Sequence, residues 1–152
     1  MVTRMIHNLL FLPIIFLLVS CSSPIIDDGT EPELHQLNLN KINQITITEV
    51  GVTAQASKDS AVICENFTLT QKDVEEYFKI ANRVSRDDYN HLMDWSPCYV
   101  TGEIRLNDGT VGLWGIHQYR GGTLNFGTEE TIYMFCPKCR AEKFDSPECF
   151  PN

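Results

Sequence analysis

From Cys98 onward, apolar and polar residues alternate with period two, and no other feature of the chain restricts its fold so strongly. Strands are expected at 98–106, 111–119, 123–126 and 131–135. Asn107-Asp108-Gly109 and Arg120-Gly121-Gly122 fall between them and supply residue types that tolerate positive φ, as tight hairpin turns require. Connections this short force antiparallel neighbours. The expectation is a four-stranded antiparallel meander with Ile104, Trp114, Ile116, Tyr133 and Phe135 in the core.

A helix should cover that sheet. In Leu69-Thr70-Gln71-Lys72-Asp73-Val74, Thr70 can cap exposed amides, and Asp73 lies near the positive end of the helix dipole. Leu69 and Val74 sit as a hydrophobic staple across the cap. Val74, Tyr77, Phe78 and Ala81 then follow the spacing of one buried helical face, which runs out near Asn82. Ser85-Arg86-Asp87-Asp88 resembles a second cap that opens a short helical turn through Tyr89 and His91. Upstream, residues 41–50 alternate as a strand, 51–60 suit a loop, and Ala61-Val62-Ile63-Cys64 can return beside that strand. The fold class expected is α+β: one small domain over 41–152, stapled by disulfides, with one main helix on the meander.

The start of the chain carries an address. Residues 1–8 are a short start carrying the polar Thr3, Arg4, His7 and Asn8, and residues 9–19 are apolar except for Pro13. A charged start and a short apolar run ending at a small residue read as a secretory signal. Leu18-Val19-Ser20-Cys21 resembles the lipobox of bacterial lipoproteins. That resemblance implies cleavage after residue 20 and acylation of the Cys21 thiol. Two or more acyl chains hold stably where one binds reversibly. Ser22 in place of Asp after the modified cysteine implies delivery to the outer membrane, facing the periplasm. Residues 21–40, with Pro24, Gly29 and Pro32 among acidic side chains, read as the lipidated end and a flexible tether.

The chain has 20 acidic against 12 basic side chains, and the signal contains only Arg4 among them. An acidic domain repels nucleic acid and anionic lipid surfaces, so neither is an expected partner. Outside the cytoplasm the cysteines beyond Cys21 should oxidise. Cys64, Cys98, Cys136 and Cys139 are the disulfide candidates, and Cys98 and the Cys136/Cys139 pair fall at one end of the meander. Their connectivity is open, and Cys149 is the candidate unpaired thiol.

Three chemical constellations compete with structural disulfides. Cys136-Pro137-Lys138-Cys139 after a strand resembles the dithiol of thioredoxin-like oxidoreductases. That family opens a long helix at the first cysteine, and here Ser146-Pro147 interrupts the chain within a few residues. A zinc site could draw on Cys98, Cys136 and Cys139 with His91 or Cys64, although structural zinc sites normally show a second close pair. His91, Asp94 and Ser96 contain the residue types of a hydrolase triad without the Gly-X-Ser-X-Gly elbow. The run is better read as a buried Trp95, a turn at Pro97 and a cysteine entering the sheet. His117 and His35 read as ordinary strand and tether residues, and Gly121-Gly122 as a hairpin turn.

The Leu69-Thr70-X-X-Asp73-Val74 helix start, Trp95-Ser96-Pro97-Cys98 and Cys136-X-X-Cys139 together resemble a group of small uncharacterised envelope proteins of bacteria. The resemblance implies domain limits and no activity. Size, anchor and acidity point to a binding module for another envelope protein, such as an immunity-type inhibitor, rather than an enzyme. The alternative is a thiol-redox or zinc protein centred on Cys136 and Cys139.

Overall fold

The computed structural model describes Gly29, residues 31–55, 63–127 and 130–140, and Phe144. In chain order the elements are β1 (His35–Gln36), β2 (Ile42–Thr53), α1 (Gln71–Ile80), β3 (Asn82–Val84), α2 (Arg86–His91), β4 (Cys98–Leu106), β5 (Val111–His117), β6 (Gly121–Asn125) and β7 (Ile132–Phe135). The strands form one antiparallel sheet in the order β1-β3-β7-β6-β5-β4-β2. The expected four-stranded meander under one helix is therefore wrong. β2 adds outside β4, β3 and β1 extend the sheet beyond β7, and α2 is a second short helix.

The physical reason lies in strand length. Two- and three-residue strands such as β1 and β3 carry no periodicity and are defined only by their pairing partners. β3 also follows α1 after one residue, because Ala81 turns to an extended backbone (ψ 153°) and ends the helix. β1 and the half-buried Leu37 and Leu39 come from the stretch that reads as tether, so the sheet draws in part of it. The return at Ala61-Val62 lies outside the described residues. Gly51 instead uses a φ of 63° to continue β2, and its N–H donates to the Phe67 carbonyl at 3.1 Å.

Register assigns the two faces of the sheet. Gly102 pairs with Trp114, Trp114 with Leu124, and Gly122 with Met134, so these side chains share one face. Ile104, Ile116, Leu124 and Met134 there are sealed from water. α1 lays Val74, Tyr77 and Phe78 over them, with Phe78 edge-on to Trp114 at 5.9 Å. Its start is held by a reciprocal box: the Asp73 N–H donates to Thr70 Oγ1 at 3.2 Å, and the Thr70 N–H donates to Asp73 Oδ2 at 2.8 Å. Tyr133 and Phe135, expected in this core, point to the opposite face and are half-buried. On that face α2, capped by the Ser85 hydroxyl, lies against β7.

Candidate functional site around the second helix

Two disulfides frame the site. Cys64–Cys98 ties the loop before α1 to the first residue of β4, with Cα atoms 5.0 Å apart. Cys136–Cys139 closes the turn after β7, where the Cys139 N–H donates to the Cys136 carbonyl. All four cysteines are buried. A disulfide sulfur has no thiolate to offer zinc, and His91 is exposed on α2, 3.2 Å from Asp87. Among the described residues no cluster of metal-ligating side chains forms. The local disulfide turns the chain before Phe144, whose ring packs 6.1 Å from Phe67 and 6.3 Å from Tyr77. Cys149 and Cys21 lie outside the described residues.

The triad types are not brought together. Ser96 is buried, donates to Gln118 Oε1 at 3.1 Å and accepts from the Cys98 N–H at 3.2 Å, which fixes the approach to β4. His91 Nδ1 stands 2.9 Å from the Asp87 carbonyl within its own helix. Trp95, expected to be buried, is 53% exposed. Its indole N–H approaches the Tyr99 hydroxyl, partly offsetting the upward push that burial gives that phenol. With the exposed Leu92 it forms an apolar loop between α2 and β4.

Behind this loop is a cluster that periodicity could have exposed, because His117 follows Trp114 and Ile116 with the opposite phase. The His117 ring is 5.7 Å from Tyr99 and 6.1 Å from Tyr89, and Tyr89 is 5.0 Å from Tyr133. Burial disfavours the imidazolium and brings the His117 pKa down to about 4. Burial also raises the pKa values of Tyr77 and Tyr89. Neutral His117 accepts from the Tyr119 N–H through Nδ1 at 3.2 Å, a bond that a proton on Nδ1 would break.

Folding thus excludes a proton that the unfolded chain takes up below its ordinary value of 6.5. This contribution is fully present above pH 6.5 and is lost as the pH falls towards 4, by roughly 3 kcal/mol in all. Urea midpoints should drop between pH 7 and pH 4.5, and the drop should be smaller in His117→Gln. An equal drop in both proteins would remove His117 as its source.

The turn from β5 to β6 holds a feature that sequence reading placed on the wrong residue. Gly121 and Gly122 belong to β6, and Arg120 alone takes the left-handed conformation, at φ 68°. A non-glycine residue there costs roughly 1–3 kcal/mol. The Arg120 carbonyl accepts from the Tyr77 hydroxyl at 3.0 Å and from the Cys136 N–H at 3.1 Å, joining α1, the turn and the second disulfide. Tyr77→Phe should lower stability by about 1 kcal/mol, read as a shifted urea midpoint with unchanged slope. An unshifted midpoint would show that the Cys136 amide alone satisfies that carbonyl.

Two concavities flank α2. A groove of about 500 Å³ follows the β1–β3 edge past His35, Arg83 and Arg86. At the other end, a cavity of about 250 Å³ is bounded by Leu92, Met93, Phe135 and Arg120, with Asp94 and Glu31 also lining it. No signal in the sequence distinguishes Arg120 from other turn residues. No protein-family model, curated protein or solved structure matches this chain.

Proposed function

We propose that the chain is a lipid-anchored envelope protein, held through Cys21 in the outer membrane with its domain facing the periplasm. There it serves as a binding module for another envelope protein. Its concrete form is an immunity-type inhibitor that blocks a toxin arriving in the envelope. The observation that supports binding is the loop bearing Leu92 and Trp95, 40% and 53% exposed, which leads into the disulfide-held start of β4. An exposed tryptophan on a constrained segment gives large contact area at little entropic cost, which is how interface anchors work. The thiol-redox alternative gains nothing from Cys136 and Cys139, both sealed from water where an exchanging thiolate needs access.

The test uses tagged protein to capture partners from envelope extracts and from the products of neighbouring genes. A defined partner should bind the parent chain, and Trp95→Ala should weaken it by about 2 kcal/mol, roughly thirtyfold. Capture of no protein, or capture indifferent to Trp95, would end this reading. Cys21→Ala should move the protein from the membrane to the soluble fraction, and retention in the membrane would refute the anchor.

A further inference from the structure

The sheet face opposite α1 is covered at one end, where Tyr89 of α2 packs against His117 and Tyr133. At the other end, where β4 finishes and β5 begins, register sets two exposed rows across β2, β4 and β5. One row is Thr46, Glu103 and Leu113, and the next is Gln44, Arg105 and Val111. Leu113 is 64% exposed and Val111 39%, neighbours on one face of β5. Glu103 and Arg105 stand two apart on β4, and neither side chain has an ion-pair or hydrogen-bond partner among the described residues. A concavity of about 120 Å³ lies between the rows, lined by these residues except Leu113.

We propose that this patch is the interface of a symmetric dimer, with a second copy of the chain as its partner. A two-fold axis that crosses β4 at Ile104, at right angles to the strands, sets Glu103 of each copy against Arg105 of the other. The same operation sets Leu113 against Val111 and Thr46 against Gln44. The patch is therefore self-complementary in charge, apolar surface and hydrogen-bonding groups. Its charges also fix the orientation, because an axis along the strands would set Glu103 on Glu103 and Arg105 on Arg105. Both residues adjoin the axis, so the usual crossing of about 30° between packed sheets displaces them little. The concavity beside them has room for a few bridging waters, which spares the ion pairs full desolvation. The chain carries 20 acidic against 12 basic side chains, whereas this patch is balanced, so two copies can meet here without adding like charge. A partner of one charge sign would leave Glu103 or Arg105 opposed. The patch is at the small end of specific interfaces, which sets the expectation of a weak dimer. Trp95 and Leu92 are not part of it, so it is separate from the partner-binding loop.

The test is sedimentation equilibrium of the full-length chain in mild detergent, together with energy transfer between differently labelled copies. The parent should dimerise with a Kd of about 100 μM or tighter. Glu103→Arg and Arg105→Glu should each weaken self-association about tenfold or more, because each dimer then holds two opposed like-charge pairs. Mixing these two variants should restore association, since every pair across the axis is again of opposite sign. The double swap Glu103→Arg/Arg105→Glu should restore it within one chain. Chains that merely share a micelle would not respond to these reversals. Leu113→Ser should also weaken the dimer, and Trp95→Ala should leave it unchanged while weakening partner capture, which separates the two proposals. The altered side chains are exposed, so melting temperatures should stay near that of the parent. Should Leu113→Ser destabilise the fold, the charge reversals decide without it. A monomer at concentrations up to about 1 mM would overturn the dimer and leave this face to a different protein. Self-association indifferent to the single reversals, or no recovery in the mixture, would overturn it equally.

Discussion

Replacing both Cys64 and Cys98 with serine is expected to lower stability by about 4 kcal/mol, enough to leave a domain of this size marginal. The bridge spans 34 residues of sequence, and constraining a loop of that length removes much of the freedom of the unfolded chain. It also joins elements with no other covalent shortcut, the loop before α1 and the first residue of β4. The comparison is the double serine variant at Cys136 and Cys139, whose bridge spans 3 residues. The same relation gives that bridge about 2 kcal/mol. Non-reducing urea denaturation of the three proteins should therefore rank parent, local-bridge variant and long-bridge variant in falling order. Equal losses, or the reverse order, would mean that native-state packing around the sulfurs outweighs chain entropy.

Gly102→Ala is expected to cost about 3 kcal/mol or more, or to prevent folding altogether. Gly102 lies in β4 between β2 and β5, opposite both Ile47 and Trp114. A Cβ there would overlap the Thr46 carbonyl oxygen and the Trp114 indole. The first obstacle is backbone and cannot rotate away; the second is a buried ring held against Phe78. Either β2 leaves β4 or the indole leaves the core. Gly115→Ala is the control on the neighbouring strand. Its Cβ would meet Tyr99 at 3.6 Å and the Thr123 hydroxyl at 3.8 Å, ordinary contact distances. It should stay within about 1 kcal/mol of the parent, with a gain possible because alanine loses less backbone freedom on folding. Similar urea midpoints for the two variants would contradict this account of close packing at Gly102.

Local chemistry made part of the molecule readable in advance. Thr70 and Asp73 lie three apart and need only each other to close the box at the start of α1. Alternation in β4 predicts burial of Ile104, and Trp114 and Ile116 follow in phase on β5. Asn107-Asp108-Gly109 marks a turn because Gly109 takes φ 88°, and Asp108 Oδ1 accepts from the Thr110 N–H. Each of these features depends on residues within a few positions of one another. Trp95 shows the limit. Its composition suggests burial, but the chain around Ser96 is fixed by Gln118 and Cys98, and the indole is left outside.

The sequence by itself determined the elements whose signals are local: the capped helix α1, the alternating strands β4 and β5, and a cysteine count that permits two bridges. Tertiary structure alone decided the width of the sheet, because β1 and β3 are too short to have a period and exist only through pairing with β3 and β7. It decided that Cys64 meets Cys98 rather than Cys136 or Cys139, since all four are chemically alike and only distance separates them. It also decided that Arg120, and not the adjacent glycines, takes the left-handed turn. That choice rests on the Tyr77 hydroxyl and the Cys136 amide, which reach the same carbonyl from 43 residues upstream and from the end of β7. Burial, pairing and cavities are properties of surfaces brought together by the whole chain, and a period read within one segment contains no information about which surface it will meet.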